Sequence, residues 1–134
     1  MAFQANQHGQ FALQWKGDIL IAVYEGTWNE VAASNMHAQA QILWSGREGK
    51  KWGLISDARN WEGATVETLE LWWKFFEDAV ANGLVAATDI LPSQFHESMV
   101  SPLAEKASKI AHYQRSKNLD DAICWLKSKE LRDL

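Results

Sequence analysis

The residues with the clearest chemical potential stand together in LISDARNWEG, residues 54–63. The polar side chains of this strand-end cluster are Asp57, Arg59, Asn60, Trp61 and Glu62. The stretch opens as a buried strand, and open α/β sheets bind ligands beyond the carboxyl ends of their strands. One interpretation is a small polar ligand held by Arg59 and stacked on Trp61. The other, which we favour, is that Asp57 and Arg59 only hold the loop and Trp61 covers it, because loop polar groups usually satisfy local backbone first.

No other part of the sequence carries a catalytic or ligand-binding signature. The four histidines and the single cysteine have no metal-ligand spacing; they are His8, His37, His96, His112 and Cys124. Motifs for acyl transfer and nucleotide binding are missing. A hydrolase using Asp57 or Glu62 would need a partner nucleophile or base, which the sequence does not offer. The sequence therefore predicts no catalytic residue, no metal and no cofactor.

Composition indicates one domain, 1–134, with a single core. Hydrophobic residues at 47% and charged residues at 22% are ordinary for a soluble globular protein. The net charge of −4, with scattered Lys and Arg, argues against nucleic acid as a partner. The lone cysteine fits a reducing compartment, and residues 1–11 show no secretory signal pattern. We therefore expect a cytoplasmic protein without integral membrane association.

Hydrophobic periodicity predicts a β-hairpin followed by alternating helices and strands. The strands are expected at 11–15, 19–24, 51–57 and 84–90, and the helices at 27–44, at 65–82 and from 118 onward. The stretch 101–115 stays open between a helix and a final strand. Thr27 and Glu30 match a capping box for the first helix, and Thr65 fits the N-cap of the second. This alternation predicts an α/β sandwich with parallel pairing after the hairpin.

The second predicted helix has more apolar perimeter than one sheet can cover. Its expected core stripe is Leu69, Trp73, Phe76 and Val80. With the neighbouring apolar positions the arc spans roughly 220° at about 100° per residue, whereas burial against one sheet needs about 100°. Leu71, Trp72 and Phe75 must therefore pack on a helix of the same chain, a ligand or a second subunit. If they are exposed, self-association is the simplest use, since most soluble oligomers are symmetric homodimers.

Three segments give the chain a resemblance to the SpoIIAA-like branch of the STAS superfamily, also described as STAS/SEC14-related. They are GDILIAVYEGTWNE at 17–30, KKWGLISDARNWEGAT at 50–65 and NLDDAICWL at 118–126. The resemblance implies a four- to five-stranded mixed sheet, with an N-terminal hairpin and then parallel strands, and about four helices mostly on one face. It also favours a strand at 110–115. Members of this branch are largely uncharacterised bacterial proteins.

STAS domains in general act as regulatory interaction modules, and some are switched by phosphorylation of a serine in a D-S-S-G loop. The corresponding segment here, residues 57–65, has no such serine. Thr65 carries the only hydroxyl near the start of that helix and is a weak candidate for phosphorylation, which a helix N-terminus would favour electrostatically. We favour the simpler role of Thr65 as an N-cap.

The combined prediction is a non-catalytic regulatory or interaction module that self-associates as a homodimer. Its candidate interaction surface consists of Leu71, Trp72 and Phe75, and an unknown protein partner is also compatible with it. The alternative is a protein that binds a small hydrophobic or amphipathic, lipid-like ligand. Eight tryptophans in 134 residues and the SEC14 relationship motivate that alternative.

Overall fold

Five strands and four helices alternate along the chain. In this computed structural model the strands are β1 (Gln10–Lys16), β2 (Ile19–Trp28), β3 (Trp52–Ala64), β4 (Leu84–Ile90) and β5 (His112–Arg115). The helices are α1 (Glu30–Ser45), α2 (Val66–Ala81), α3 (Gln94–Ile110) and α4 (Leu119–Lys127). The structure describes residues 6–134. Residues 1–5, which belong to the predicted domain and to the N-terminal segment that shows no secretory signal pattern, lie outside the described residues.

The strands form one mixed sheet in the order β1-β2-β3-β4-β5. β1 and β2 are antiparallel, and all later neighbours are parallel. The hairpin turns at Gly17, whose φ of +59° lies in the left-handed region that glycine adopts without strain. The predicted hairpin, parallel pairing and α/β class are confirmed.

Each face of the sheet has its own hydrophobic core. On one face, α1, α2 and α3 pack over Leu20, Ala22, Leu54 and Ala87. On the other, α4 packs its Ala122 and Leu126 against the sheet residues Ile19, Ile55, Ala86 and Ile90. Side chains alternate between the faces of a strand, so each face draws on every second residue. Three helices on one face and one on the other agree with the expected distribution.

Helix α2 turns a different side to the core than its sequence pattern predicted. The stripe Leu69, Trp73, Phe76 and Val80 is only half-buried, whereas the buried residues of α2 are Thr68, Phe75 and Ala79. The reason is that α2 lies between α1 and α3, and both neighbours cover part of it. The sequence pattern therefore predicted the width of the apolar arc correctly, but it assigned the most buried positions to the wrong residues.

Three element boundaries differ from the sequence prediction. β2 continues through Trp28, so the capping box of Thr27 and Glu30 does not form, and Asn29 caps α1 by accepting a hydrogen bond from the backbone N–H of Ala32 at 3.3 Å. β3 extends to Ala64 rather than ending at residue 57. The open stretch 101–115 is both kinds of element, since α3 ends at 110 and β5 begins at 112.

The N-cap of α2 is as predicted. The hydroxyl oxygen of Thr65 accepts a hydrogen bond from the backbone N–H of Thr68 at 3.2 Å, and the two threonine hydroxyls lie 2.8 Å apart. The Thr68 hydroxyl in turn donates to the backbone oxygen of Trp28. This chain of hydrogen bonds ties the start of α2 to the end of β2.

We expect Thr65→Ala to lower the free energy of unfolding by about 1 kcal/mol, because it removes the cap from the first turn of α2. Thr65→Ser is the matched control, since it keeps the capping oxygen and should remain close to wild type. Urea unfolding at pH 7 measures both. Equal losses in the two variants would show that the methyl group of Thr65, rather than its hydroxyl, stabilises this junction.

Candidate functional site

The strand-end cluster lies on a continuing strand and not in a loop. β2 stays paired with β3 beyond residue 57, through two shifts in register, until Trp28 meets Ala64. The polar residues at 57–62 are therefore spread along an extended strand, in which the register shifts interrupt the regular alternation of side chains. The five residues therefore do not converge on one point, as a shared ligand site at this edge would require.

Asp57 and Arg59 form a closed ion pair. Arg59 donates from Nε to Oδ1 of Asp57 at 2.8 Å and from a terminal nitrogen to Oδ2 at 2.7 Å. These hydrogen bonds hold the pKa of Asp57 below its usual value, although burial acts in the opposite direction. Both carboxylate oxygens accept from the Arg59 guanidinium, which is the local pairing of the favoured interpretation.

The other three residues of the strand-end cluster separate from this pair. Asn60 and Glu62 are exposed. Trp61 is only 2% exposed, and its indole N–H donates to the backbone oxygen of Gly63 at 2.8 Å. Its ring lies 4.9 Å from that of His96 and contributes to a cavity on the α2–α3 face of the sheet. Of the predicted cluster, Trp61 alone takes part in this cavity.

The cavity has a volume of about 120 Å³ and lies between the sheet, α2 and α3. Its aromatic wall consists of Tyr24, Trp61, Trp72, Trp73, Phe75 and Phe76. Leu103 and Ala104 of α3, which are half-buried, close the opposite side. An apolar cavity of roughly 150 Å³ is known to hold benzene. The space here is somewhat smaller, so one aromatic ring or a short branched chain is the upper limit for its occupant.

Edge-to-face packing arranges the aromatic wall around Trp72. Its ring centroid lies 5.5 Å from that of Tyr24, 5.3 Å from that of Trp28 and 5.4 Å from that of Trp61, each at a steep interplanar angle. These are favourable geometries for aromatic pairs. The indole N–H of Trp72 is buried without a hydrogen-bond partner among the described residues. The wall is therefore rigid and carries one unused donor.

A carboxylate and a phenol lie together at the sheet side of this cavity. Asp89 on β4 accepts a hydrogen bond from the hydroxyl of Tyr113 on β5 at 2.5 Å through its Oδ2. Its other oxygen, Oδ1, is buried without a partner among residues 6–134. Asp89 is one of the residues that line the cavity. Buried polar atoms in folded proteins are nearly always hydrogen-bonded, so the unpartnered oxygen of this carboxylate marks a candidate ligand contact.

Burial governs the ionisation of these groups. It raises the pKa of Asp89 to about 6, although the Tyr113 hydrogen bond and the charge of Arg115 favour the ionised form. Burial, together with the neighbouring Asp89, also raises the pKa of Tyr113 above its ordinary value. Near neutral pH the arrangement is therefore a carboxylate that accepts a hydrogen bond from a neutral phenol.

Arg115 does not neutralise Asp89 by direct contact. Its guanidinium donates to the backbone oxygen of Glu97 at 3.0 Å and lies 3.8 Å from the Glu97 carboxylate. No ion pair joins Arg115 to Asp89 among the described residues. The charge on Asp89 is thus supported by the hydroxyl of Tyr113, by the backbone N–H of Asp89 itself and by Arg115, whose guanidinium is engaged elsewhere.

The candidate interaction surface is largely enclosed. Phe75 is only 3% exposed, with its ring 5.7 Å from that of Trp44 and 5.5 Å from that of His37 on α1. Of the three covers left open for Phe75, the structure shows a helix of the same chain, α1, so Phe75 is not available to the candidate interaction surface. Leu71 and Trp72 are half-buried against the same core. Thr65 is exposed, and its oxygen is engaged in the N-cap described above.

Within residues 6–134, no group of three or more His, Cys, Asp or Glu residues is arranged to hold a metal ion. In the same part of the chain, no helix has the length and apolar character needed to cross a membrane. Cys124 is exposed and free.

Comparisons with known proteins identify the fold of the chain. No family model matches the chain, and no curated protein matches it. An uncharacterised protein of the DUF3478 family with a SpoIIAA-like fold, from Shewanella loihica, is similar with a TM-score of 0.69 and 13% identity, over 93% of this chain and 99% of the other. The chain has a SpoIIAA-like fold. An anti-sigma factor antagonist from Mycobacterium paratuberculosis is also similar, with a TM-score of 0.62, 13% identity and the same coverage.

These matches confirm at the level of fold the resemblance stated from the sequence. At 13% identity they carry no information about individual side chains. The SpoIIAA-like fold therefore supplies the framework, and the chemistry of the cavity has to be argued from this chain alone.

Sequence reasoning missed Asp89 and Tyr113. The only signal is Asp89 itself, which interrupts the otherwise apolar strand LVAATDI at 84–90. A strand covered on both faces is expected to be continuously hydrophobic, so a carboxylate within it requires an explanation. Its partner could not be inferred, because residues 101–115 were open between helix and strand.

We expect Asp89→Asn to change the pH dependence of stability. The folded-state pKa of Asp89 is raised, so its contribution to stability is complete below the unfolded pKa near 4 and is lost as pH rises through about 6. The unfolding free energy of Asp89→Asn relative to wild type should therefore increase between pH 4.5 and 7.5, by on the order of 2 kcal/mol.

Asp57→Asn is the matched control, because the pKa of Asp57 is shifted downward and its contribution changes only below pH 4. Its difference from wild type should be constant between pH 4.5 and 7.5. Urea unfolding at several pH values measures both variants. If the difference between Asp89→Asn and wild type is also constant, the charge on Asp89 does not lower the stability of the folded protein.

Proposed function

We propose that this SpoIIAA-like domain is a non-catalytic module that binds a small, largely apolar ligand in the cavity between α2, α3 and the sheet. The observation that carries the proposal is an aromatic-walled cavity whose lining includes Asp89, a residue with one buried carboxylate oxygen that has no partner among the described side chains. Ligand sites are typically concave and apolar, with a few polar groups that fix orientation. The cavity has this composition, on a small scale.

The size of the cavity limits the ligand. About 120 Å³ accommodates one ring or a few methylene groups, which is far less than the acyl chain of a membrane lipid requires. The lipid-like ligand suggested by the sequence is therefore narrowed to a compact molecule. A molecule with a longer tail would have to leave the tail outside, between the half-buried residues of α2 and α3.

A regulatory role agrees with the comparisons. One structurally similar protein is described as an anti-sigma factor antagonist, and we propose by analogy that ligand binding here serves regulation. A lone exposed cysteine and a scattered charge fit our further proposal that the protein works in the cytoplasm.

Binding of toluene tests the cavity. We expect toluene to bind the wild-type protein saturably and to shift the methyl NMR signals of Leu54, Val100 and Leu103, which line the cavity. The methyl signals of Ile19 and Ile55, in the core on the α4 face, should not move. Binding that shifts both sets equally, or no saturable binding at all, would contradict the proposal.

Ala104→Phe provides the variant that blocks the site. Ala104 lines the cavity, so a phenyl ring at this position should fill it and abolish toluene binding while the fold remains. Glu105→Phe is the matched control, because Glu105 is the next residue along α3 and is exposed. It should bind toluene as the wild type does. Equal binding by both variants would place the toluene elsewhere.

Self-association through α2 is the second candidate function, and the half-exposed Leu71 supports it. With Phe75 enclosed, less apolar surface is available for it than the sequence suggested. If the protein is a homodimer through this surface, light scattering should give twice the 15.2 kDa of one chain. Leu71→Asp should then reduce the mass to that of the monomer. A wild-type protein that is already monomeric at high concentration would remove this candidate.

A further inference from the structure

The polar end of the cavity has an uneven set of hydrogen-bonding groups. At Asp89, one carboxylate oxygen is taken by the Tyr113 hydroxyl, and the other has no donor within the described residues. A carboxylate oxygen can only accept hydrogen bonds when it is ionised. The missing group is therefore a donor, and no side chain among residues 6–134 supplies one to Oδ1; apart from Tyr113, the one hydrogen bond that favours the ionised carboxylate comes from the backbone N–H of Asp89 itself.

The negative charge of Asp89 has no directly bound cation, just as its Oδ1 has no side-chain donor among the described residues. The titratable and charged groups that influence Asp89 are Tyr24 on β2, Tyr113 and Arg115 on β5, and Glu97 on α3. Of these only Arg115 is a cation, and its guanidinium is held by Glu97. An isolated buried charge is costly unless it is paired. A positively charged ligand group would pair it.

The aromatic wall also suits a cation. The six side chains of the aromatic wall and Tyr113 line the same cavity. A cation near an aromatic face is stabilised by the ring quadrupole, and more strongly where water is excluded. Aromatic rings next to an unpaired carboxylate therefore accept an ammonium group that remains attached to an apolar body.

We propose that the ligand of this cavity is a small primary amine, with an aromatic or branched apolar body in the cavity and its ammonium group on Oδ1 of Asp89. This inference rests on the proposed ligand-binding function and specifies the chemistry of the ligand. The ammonium supplies three donors and a positive charge, which are the two properties that the site lacks. The apolar body fills the volume described above.

Three probes that share one ring test this inference: toluene, benzyl alcohol and benzylamine. Calorimetric titration of the whole protein at pH 7.5 should show benzylamine binding at least tenfold more tightly than toluene, with benzyl alcohol between them. Benzyl alcohol equal to benzylamine would overturn recognition of the charge. Toluene that binds as tightly as benzylamine would overturn the inference and leave the proposed function intact. If none of the three binds, the proposed function itself fails.

Asp89→Asn tests the contribution of the carboxylate to binding separately from that of the apolar cavity. It should weaken benzylamine binding at least tenfold and leave toluene binding within about twofold of wild type. Asp57→Asn is the matched control, since it removes a buried carboxylate that is already paired. It should leave both affinities unchanged. An equal loss of benzylamine binding in the two variants would overturn the assignment of Oδ1 as the ammonium site.

A pH profile of the wild type gives a second test that needs no variant. With the pKa of Asp89 at about 6, only about one tenth of the carboxylate is ionised at pH 5. The affinity for benzylamine, whose amine stays protonated over this range, should therefore fall about tenfold from pH 7.5 to pH 5. The affinity for toluene should not fall. A benzylamine affinity that is independent of pH would overturn the inference.

Discussion

The arrangement of this molecule depends on the burial of α2, which carries apolar side chains over more of its perimeter than one sheet can cover. The helix lies between α1 and α3, and each neighbour covers a different part of it. Phe75 packs against α1, whereas Trp73 lies beside Lys106 of α3, whose ammonium is 5.4 Å from the ring. Apolar burial stabilises by roughly 25 cal/mol per Å², so the bulky rings of α2 determine where the other two helices lie.

The same constraint explains why a cavity exists. Protein interiors normally close to the density of organic crystals, with few voids larger than a water molecule. Here Trp72 meets its aromatic neighbours edge to face, and flat, stiff rings in that arrangement cannot bend into the remaining gaps as aliphatic chains do. On the other face, where α4 packs aliphatic side chains against Ile19 and Ile55, the core consists mainly of small and branched residues. The cavity thus follows from the aromatic composition of one face.

Local signals in the sequence were sufficient wherever one element decided its own limits. The strand at 84–90 and the helix that Thr65 caps were found because their apolar runs and end residues agree. The predictions failed where distant elements compete. Sheet pairing with β3 carried β2 past Thr27, so a valid capping sequence was left unused. Phe75 was misplaced because its exposure depends on α1, which a helical period cannot show.

Two aspartates show why the strand-end cluster was found and the cavity site was missed. Asp57 attracted attention because Arg59 is two residues away, but the pairing that makes the motif visible also satisfies both oxygens of the carboxylate. The partner of Asp89 is Tyr113, twenty-four residues away on a strand that local patterns leave open. A search for closely spaced polar residues therefore tends to find groups whose hydrogen bonds are already made to one another. A carboxylate that can still bind a ligand is better sought as an isolated charge in an apolar strand. Such a charge destabilises the fold, and perturbed buried groups of this kind are concentrated at functional sites.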